Sequence, residues 1–563
     1  MPGSTWPGAR SSCTISRRAP VRQGLRLALT AVIWLLPPQV LPVPSRSGPE
    51  GPPRPYGLQP RAGAPAAPTA PGLAAAQNRA LLEGPFPHGG LTRGVSDGVV
   101  LDLDPHVREP ALALIHRTGS LVVRIPVNWS SYVLARPRAG FGGRDPASPD
   151  YDFTTLDGSV KDAVAAGLSP VLVVSHAPVF AEAPNRWPYA YPGSWDPDPA
   201  ALEAFASALA RRYDGSFPDP AAPGSVLPAV RYFQAWNEPN LARYLEPQWG
   251  AEEGHWRAFS PLLYRELLNA FYAGVKAVAP GDVVVTGGLA PNGDPEGLGR
   301  MAPLRFLRAM FCLAPHPGRA RVLERETCRD PAHFDVLAFH PLSFASPDAA
   351  AESSLDVAIS DAAKITGLLG RARRLGTALP GGPKPVWVTE LNWESRPQTS
   401  DGVPPGEQAA WVSRALHRLW VAGVSKVVWE FLVDPYGGVA ANSPTGATFR
   451  YPRPAGLYSA GVEGNLESAQ PKPFLTGFSF PFDPLRLSAR AVRVWALADY
   501  PREPVALQRE ATGGRWRTIA DLRADPDGVL NVVVALRGRA RLRLLGAGRT
   551  SATAAVGRWR SVL

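Results

Sequence analysis

The sequence predicts an α/β protein: a (β/α)₈ TIM barrel followed by a small C-terminal all-β sandwich. Short apolar runs of strand length alternate with amphipathic stretches of helix length, and eight such runs can be counted. After Pro484 the pattern changes to short β-rich runs separated by Gly, Asp and Pro, which is typical of a sandwich. The chain has 563 residues, 45% of them hydrophobic, so it can build a large core.

The predicted barrel strands are near-continuous apolar runs, as expected of parallel strands that helices cover on the outside. They span residues 94–101, 121–127, 170–175, 230–236, 282–287, 334–340, 385–390 and 426–431. Helical stretches between them include 200–213, 262–278, 355–375 and 407–422, with 472–478 as the eighth helix. No Gly-x-Gly-x-x-Gly turn follows the first strand, which argues against a dinucleotide-binding fold.

The composition divides the chain into four segments. Residues 1–45 begin basic and free of acids, continue into the apolar stretch 27–36 and then reach two prolines, which is typical of a signal peptide or, if uncleaved, a signal anchor. Residues 46–88 form a Pro/Ala/Gly-rich linker, 89–483 the barrel and 484–563 the Arg-rich sandwich. We therefore expect an exported protein, either secreted or associated with the cell envelope.

The cysteines agree with export. Cys13 lies in the signal segment, which leaves Cys312 and Cys328 as a pair in the rest of the chain. Such a pair in an exported protein predicts a disulfide, and two unpaired buried thiols are the alternative. No His or Cys cluster surrounds them in the sequence, so we expect no metal site there.

The formal net charge is +11, and much of it lies in the C-terminal segment. From Leu485 onward, fifteen arginines stand against six acidic residues. Two interpretations stay open: a solvated surface that reflects a general Arg bias, or association with an anionic envelope polymer through this domain. The charge does not by itself imply nucleic-acid binding, and we expect none.

Two acidic motifs follow predicted barrel strands. The motif WNEPN at 236–240 ends the fourth strand and contains Glu238, and VTELNW at 388–393 ends the seventh and contains Glu390. Because the carboxyl ends of parallel barrel strands meet at one face, we expect both carboxylates at the same rim. A pair of carboxyl groups can protonate a departing glycosidic oxygen and attack the anomeric carbon.

On these motifs, residues 90 to about 482 resemble the clan A glycoside hydrolases, particularly the family 5 (cellulase-like) and family 39 groups. The resemblance implies a retaining enzyme that cleaves O-glycosidic, mainly β, bonds of a carbohydrate by double displacement. It implies that Glu238 is the general acid/base and Glu390 the nucleophile. It also implies that the reaction needs neither a metal nor an organic cofactor.

The resemblance implies five further site residues, which we treat as candidate substrate-binding residues. Asn237 would bind the hydroxyl next to the anomeric carbon, and Arg124, at the end of strand two, would hold the nucleophile through charge-assisted hydrogen bonds. His176, at the end of strand three, would contact a sugar hydroxyl, although a structural role stays open. His340, at the end of strand six, matches a His that relatives carry there. Trp429 would be a stacking platform for a sugar ring or, alternatively, a core residue.

The sequence departs from the family pattern after strand six, where Leu342 replaces the aromatic residue, often Tyr, that relatives carry two positions after the His. We expect Glu430 to be a structural neighbour of Trp429, and Glu394 to lie outside its strand. Two other functions stay open, a non-catalytic carbohydrate-binding protein and an envelope-adhesion protein. A transglycosylase would share every catalytic residue.

Overall fold

A computed structural model describes residues 81–82, 86–87, 89–101, 104–316, 319–399, 401–436, 439–442, 448–451 and 454–557. The predicted signal segment, with Cys13, and nearly all of the predicted linker lie outside these residues. Within the described ranges, no helix combines the length and the apolar character needed to cross a bilayer.

Eight parallel strands form a nearly closed barrel, which confirms the predicted fold class. Their order in the sheet is β6-β7-β8-β1-β2-β3-β4-β5, and the parallel bridges Val285–Val336 and Leu289–Phe339 join β5 to the β6 region. The strands are β1 (Thr92–Ser96), β2 (Val122–Asn128), β3 (Ser169–Ser175), β4 (Tyr232–Ala235), β5 (Val283–Thr286), β6 (Leu337–Phe339), β7 (Val386–Leu391) and β8 (Val424–Glu430).

One α-helix of the described chain follows each strand before the next begins, and β8 is followed by the last. Most of them carry Pro in the first turn, where its fixed φ suits a helix and its missing N–H costs nothing. The helices are α1 (Pro105–Arg117), α2 (Thr154–Ala165), α3 (Pro199–Arg212), α4 (Ser260–Val278), α5 (Pro303–Met310), α6 (Ala362–Arg374), α7 (Pro405–Val421) and α8 (Pro473–Ser479).

Two predicted elements were wrong at their boundaries. The predicted first strand, 94–101, ends at Ser96, and Gly98–Leu101 forms a 3₁₀ helix, because the Asp97 carboxylate accepts the Val99 amide at 3.0 Å and turns the chain. The predicted helix 355–375 begins only at Ala362. There the Asp361 carboxylate accepts backbone amides that precede the helix.

The amino-terminal end of the barrel interior is filled by an apolar layer and by one lysine that packs on aromatic rings. Here the Lys426 ammonium lies 4.2 Å from the Trp387 ring centroid and 4.5 Å from that of Tyr232. Polar side chains replace the apolar ones further along the strands, toward the carboxyl ends. The apolar layer consists of Val122, Val171, Val285, Val336, Ala338 and Trp387.

The C-terminal β domain predicted from the sequence is present. One sheet holds β9 (Phe482–Ser488), β10 (Ala491–Leu497) and β13 (Val529–Ala535). The other holds β11 (Pro504–Glu510), β12 (Trp516–Arg523), β14 (Ala540–Gly546), β15 (Arg549–Thr550) and β16 (Ala554–Val556). A separate apolar cluster fills the space between them.

Two contacts tie parts of the chain together. His417 of α7 hydrogen bonds to Asp483 at 2.7 Å and stacks on Trp495 of β10 with ring centroids 4.7 Å apart, which attaches the β domain to the barrel. Cys312 and Cys328 form the predicted disulfide, with their Cα atoms 5.8 Å apart.

Candidate active site

The two predicted catalytic carboxylates meet at the carboxyl-terminal rim of the barrel. Glu238 lies just after β4 and Glu390 lies in β7. One carboxylate oxygen of each lies within 4.8 Å of the other, and a ring nitrogen of His340 lies within the same distance of both. Glu238 is 8% exposed and Glu390 6% exposed, so both side chains are largely removed from solvent.

The backbone after β4 is strained where it presents Glu238. Trp236 and Glu238 have φ values of 76° and 38°, a region that costs a non-glycine residue about 1–3 kcal/mol. The Glu238 amide donates to the carbonyl of Gly288 at 3.0 Å, and the Trp236 indole N–H donates to the carbonyl of Tyr244 at 2.8 Å. These bonds hold the strained turn in place and direct the carboxyl group inward.

Glu390 reaches the interior through an irregularity in β7. Regular alternation sends Trp387 and Thr389 into the barrel, which would point Glu390 outward. The pairing of β7 with β8 shifts between Val388 and Leu391, and with this shift Glu390 also faces the interior. Thr389 and Glu390, which are consecutive residues of β7, therefore both contribute to the site.

Arg124 of β2 organises the floor of the site. Its guanidinium donates to Glu390 Oε1 at 2.9 Å, to Asn237 Oδ1 at 2.7 Å and to Gln234 Oε1 at 2.8 Å. All four side chains are buried. The guanidinium thus offsets the charge of Glu390 and orients Asn237 beside Glu238, which gives Arg124 a positioning role in this structure.

His340 connects the two carboxylates. Its Nδ1 lies 3.0 Å from Glu238 Oε1 and 3.4 Å from Glu390 Oε2, and its Nε2 lies 2.9 Å from Thr389 Oγ1. Burial lowers the pKa of His340 to about 4, so the ring is neutral near pH 7. Because Nδ1 faces carboxylate oxygen, which can only accept, Nδ1 carries the ring proton and donates to the carboxylates, and Nε2 accepts the hydroxyl proton of Thr389.

His340 lies deeper in the site than the role of a substrate contact suggests, and that contact stays a prediction. Its side chain is fully buried, so the ring does not reach the open part of the site. The structure gives His340 the role of holding Glu238 and Glu390 in position.

Burial raises the pKa of Glu238 to about 7, and the positive charges of Arg124 and Arg243 limit the rise. Glu238 therefore holds a proton below neutral pH and releases it readily near neutral pH. This is the behaviour expected of a group that acts as an acid in one step and as a base in the next.

Trp429 packs in the core, which is one of the two roles that the sequence left open for it. Its side chain is fully buried and its indole N–H donates to the carbonyl of Ala455 at 2.9 Å. It packs against Phe474 and Phe478 of α8, with ring centroids 5.4 and 5.8 Å away. The ring lies between the strands and the helices, outside the barrel lumen.

Glu430, the last residue of β8 at the barrel mouth, lies near the two carboxylates of the site. Asn392 donates to its Oε2 at 3.0 Å. Burial raises its pKa well above 4.5, and the negative charges of Glu390 and Glu238 raise it further. The carboxyl groups of Glu390 and Glu238 thus favour the neutral form of Glu430, which can donate a hydrogen bond.

His176 lies at the rim, at the end of β3. Its Nδ1 is 2.8 Å from Ser175 Oγ, and its ring meets the Tyr244 ring edge-on with centroids 5.4 Å apart. Its φ of 61° is another strained backbone position at a strand end. Burial and the charge of Arg243 lower its pKa to about 4, so it is neutral near pH 7.

Tyr244 is a site residue that the sequence did not reveal. After burial, the largest influence that raises its pKa is the charge of Glu238, and Glu390 and Glu430 add to it. The loop after β4 therefore brings a phenol close to all three carboxyl groups. The aromatic residue that Leu342 replaces after β6 has a counterpart here in Tyr244, which comes from a different strand end.

The cluster of Glu238, His340 and Glu390 also has the residue types and spacing of a metal site. The proton on His340 favours a role in proton transfer over metal binding. His340 Nδ1 carries the proton that it donates to Glu238, and Arg124 already places a cation on Glu390. A donor nitrogen and a guanidinium at these positions disfavour a bound cation and favour proton transfer.

No profile of a known protein family matches the sequence, and no functionally curated protein does. Solved structures with a similar fold include a family 39 glycoside hydrolase from the gut symbiont Bacteroides cellulosilyticus WH2, at 17% identity and a TM-score of 0.46, covering 80% of this chain and 79% of that one. A monomeric β-xylosidase from Caulobacter crescentus CB15 has 14% identity and a TM-score of 0.40, covering 80% of this chain and 96% of that one.

A third similar structure is the endo-β-1,4-mannanase from Thermotoga petrophila, at 12% identity and a TM-score of 0.38, covering 84% of this chain and 98% of that one. The solved structures similar to this chain therefore include family 39 enzymes, one of the two groups that the motifs resemble.

Proposed function

We propose that this protein is a retaining glycoside hydrolase that cleaves an O-glycosidic, mainly β, bond of a carbohydrate. The observation that supports this most directly is the short separation of Glu238 and Glu390. One carboxylate oxygen of Glu238 lies within 4.8 Å of one carboxylate oxygen of Glu390. Retaining enzymes place their carboxyl groups about 5–5.5 Å apart, whereas inverting enzymes need about 6.5–9.5 Å to admit a water molecule.

In the first step, Glu390 attacks the anomeric carbon while Glu238 gives its proton to the departing glycosidic oxygen. The C–O bond to the leaving group breaks and a glycosyl ester of Glu390 forms. The raised pKa of Glu238 keeps the required proton on this group up to about pH 7. Arg124 holds one Glu390 oxygen, which leaves the second oxygen to react.

In the second step, Glu238 is a carboxylate and removes a proton from a water molecule. The oxygen of that water attacks the anomeric carbon, and the bond to Glu390 breaks. His340 stabilises both charged states through its Nδ1–H, which lies 3.0 Å from Glu238 and 3.4 Å from Glu390. Each carboxyl group returns to its starting state.

The substrate hydroxyls would meet groups of both hydrogen-bonding kinds at the rim. Asn237 is oriented by Arg124, and Glu430 lies near the two carboxylates with a raised pKa that favours its hydrogen-bond-donating neutral form. Tyr244 and His176 border the same opening. This polar lining around a reactive pair suits a sugar, whose recognition depends on a few placed hydrogen bonds.

A leaving-group experiment tests the two assigned roles. Glu238→Ala should lose most activity on aryl β-glycosides that have a poor leaving group and retain it on 2,4-dinitrophenyl glycosides, which depart without protonation. Glu390→Ala should lose activity on both. Glu394→Ala, which removes an acid beyond the end of β7, should behave like the wild type on both substrates.

Azide adds a second readout. In Glu238→Ala it should accelerate turnover and yield a glycosyl azide of retained configuration, because the glycosyl ester of Glu390 still forms. Wild-type activity in both Glu238→Ala and Glu390→Ala would refute the proposal. A wild type that binds carbohydrate but hydrolyses none of these glycosides would favour a non-catalytic carbohydrate-binding protein.

We also propose that the protein acts outside the cytoplasm, as a secreted or envelope-associated enzyme. The acid-free basic start followed by an apolar stretch supports this, and the Cys312–Cys328 disulfide is consistent with an oxidising compartment. Fractionation of its native cells should find the chain outside the cytoplasm with the disulfide formed. Recovery of the reduced chain in the cytoplasm would contradict the proposal.

A further inference from the structure

The charges of the C-terminal β domain are separated between its two ends. The register of its strands defines these ends, since Glu510 pairs with Trp516 at one and Pro504 with Arg523 at the other. The first end holds a single acidic residue, Glu510. It holds eight arginines: Arg486, Arg490, Arg509, Arg515, Arg517, Arg537, Arg539 and Arg541.

The other acidic residues of the described domain lie toward the opposite end. That end also contacts the barrel, through Asp483 on His417 at 2.7 Å and Asp499 on Arg93 at 3.7 Å. The basic charge is therefore concentrated at the end of the domain that points away from these contacts. The acidic residues concerned are Asp483, Asp499, Glu503, Asp521, Asp525 and Asp527.

Three turns meet at this basic end, namely 489–490, 511–515 and 536–539. The Arg486 guanidinium donates to the carbonyl oxygens of Leu536 at 2.6 Å and Gly557 at 3.2 Å, and also to that of Gly538. Arg509 donates to the carbonyl of Arg539 at 3.1 Å. These bonds join the turns into one surface, so the arginines lie on a fixed framework.

Most of these cations have no carboxylate to neutralise them. Arg541 pairs with Glu510 at 2.8 Å. Within the described part of the chain, the other seven arginines of the basic end form no ion pair with a carboxylate. Five of the seven are exposed: Arg490, Arg515, Arg517, Arg537 and Arg539. Like charges held together at a surface repel one another and attract a polyanion.

We propose that the basic end of the C-terminal domain binds an anionic polysaccharide, a polymer whose sugars carry carboxylate groups. The planar guanidinium matches a carboxylate with two parallel hydrogen bonds. Trp516 begins β12 at this end, and the Arg543 guanidinium lies 4.2 Å from its ring centroid, so an amphipathic ring borders the cations. This proposal is independent of the activity assigned to the barrel.

The composition of the turns favours a polysaccharide over a membrane surface. Proteins that bind a bilayer interface combine cations with exposed large apolar side chains. None of the exposed large hydrophobic residues of the described chain lies in the three turns. Leu536, the large apolar residue of the third turn, is buried.

The test compares two variants of the full chain that lose the same number of charges. The first carries Arg→Gln at positions 490, 515, 517, 537 and 539. The matched control carries Arg→Gln at five exposed arginines of the barrel region that also lack an ion pair with a described carboxylate, at positions 117, 211, 329, 373 and 374. Thermal unfolding of each variant establishes that it is folded.

Affinity electrophoresis in polygalacturonate should show salt-sensitive binding of the wild type and none in gels with uncharged dextran. The affinity of the basic-end variant for polygalacturonate should fall by about tenfold or more. The control variant should bind with the affinity of the wild type. Equal losses in the two variants would overturn the proposal. Stronger binding to phosphatidylglycerol vesicles or to duplex DNA than to polygalacturonate would also overturn it.

Discussion

Replacement of Glu238 by Gln should change how the stability of the protein depends on pH. Burial raises the pKa of Glu238 from 4.5 to about 7. A carboxyl group with a higher pKa in the folded state binds protons on folding, so the free energy of unfolding decreases as pH rises from 4.5 through 7. The difference corresponds to about 3 kcal/mol. Glu238→Gln removes this contribution.

Urea unfolding of the wild type and of Glu238→Gln at pH values below 4.5 and above 7 measures this effect. The free energy of unfolding of the wild type should fall by about 3 kcal/mol more than that of the variant as pH rises from below 4.5 to above 7. The variant should also lose hydrolysis. Glu467→Gln, which alters an exposed acid, should follow the wild type. Parallel pH profiles for the wild type and Glu238→Gln would refute the assignment of a raised pKa to this residue.

Three substitutions probe the surroundings of the pair. Gly288→Ala should lower kcat/KM by about 10²-fold, because its Cβ would lie 1.9 Å from His340 Nε2, whereas Gly367→Ala, in open space, should have no effect. Arg124→Lys should lower kcat by about 10²-fold through loss of the guanidinium fork, and an unchanged kcat would contradict its positioning role. Trp429→Phe should reduce the free energy of unfolding by about 1–2 kcal/mol with an unchanged KM, and a raised KM would favour a sugar contact.

The barrel could be predicted because its strands are long apolar runs, but the same property hid which side chains face the lumen. In β8, regular alternation places Lys426 and Glu430 on the inner face, and Val427 and Trp429 pack toward the helices. In an apolar strand, polar and apolar residues do not alternate, so the sequence does not indicate which side chains face the lumen and which face the helices. The two charged residues four positions apart were a usable signal, because a charge is rarely buried between strands and helices.

The meeting of Glu238 and Glu390 at one rim could be predicted because each belongs to a motif at a strand end. The rest of the site depends on contacts between distant segments. His340 binds Thr389 and Glu238 through an arrangement that requires Gly288 beneath its ring. Tyr244 comes from a loop with no distinctive pattern. A local sequence motif carries no information on contacts between segments that are distant in the chain.

The anomeric configuration of the first product tests the central claim most directly. Proton NMR during hydrolysis of an aryl β-glycoside distinguishes the two anomers before they interconvert. With Glu238 and Glu390 within 4.8 Å, double displacement should release the β-anomer first. Initial release of the α-anomer would show that water attacks directly, and would contradict the assignment of Glu390 as the nucleophile.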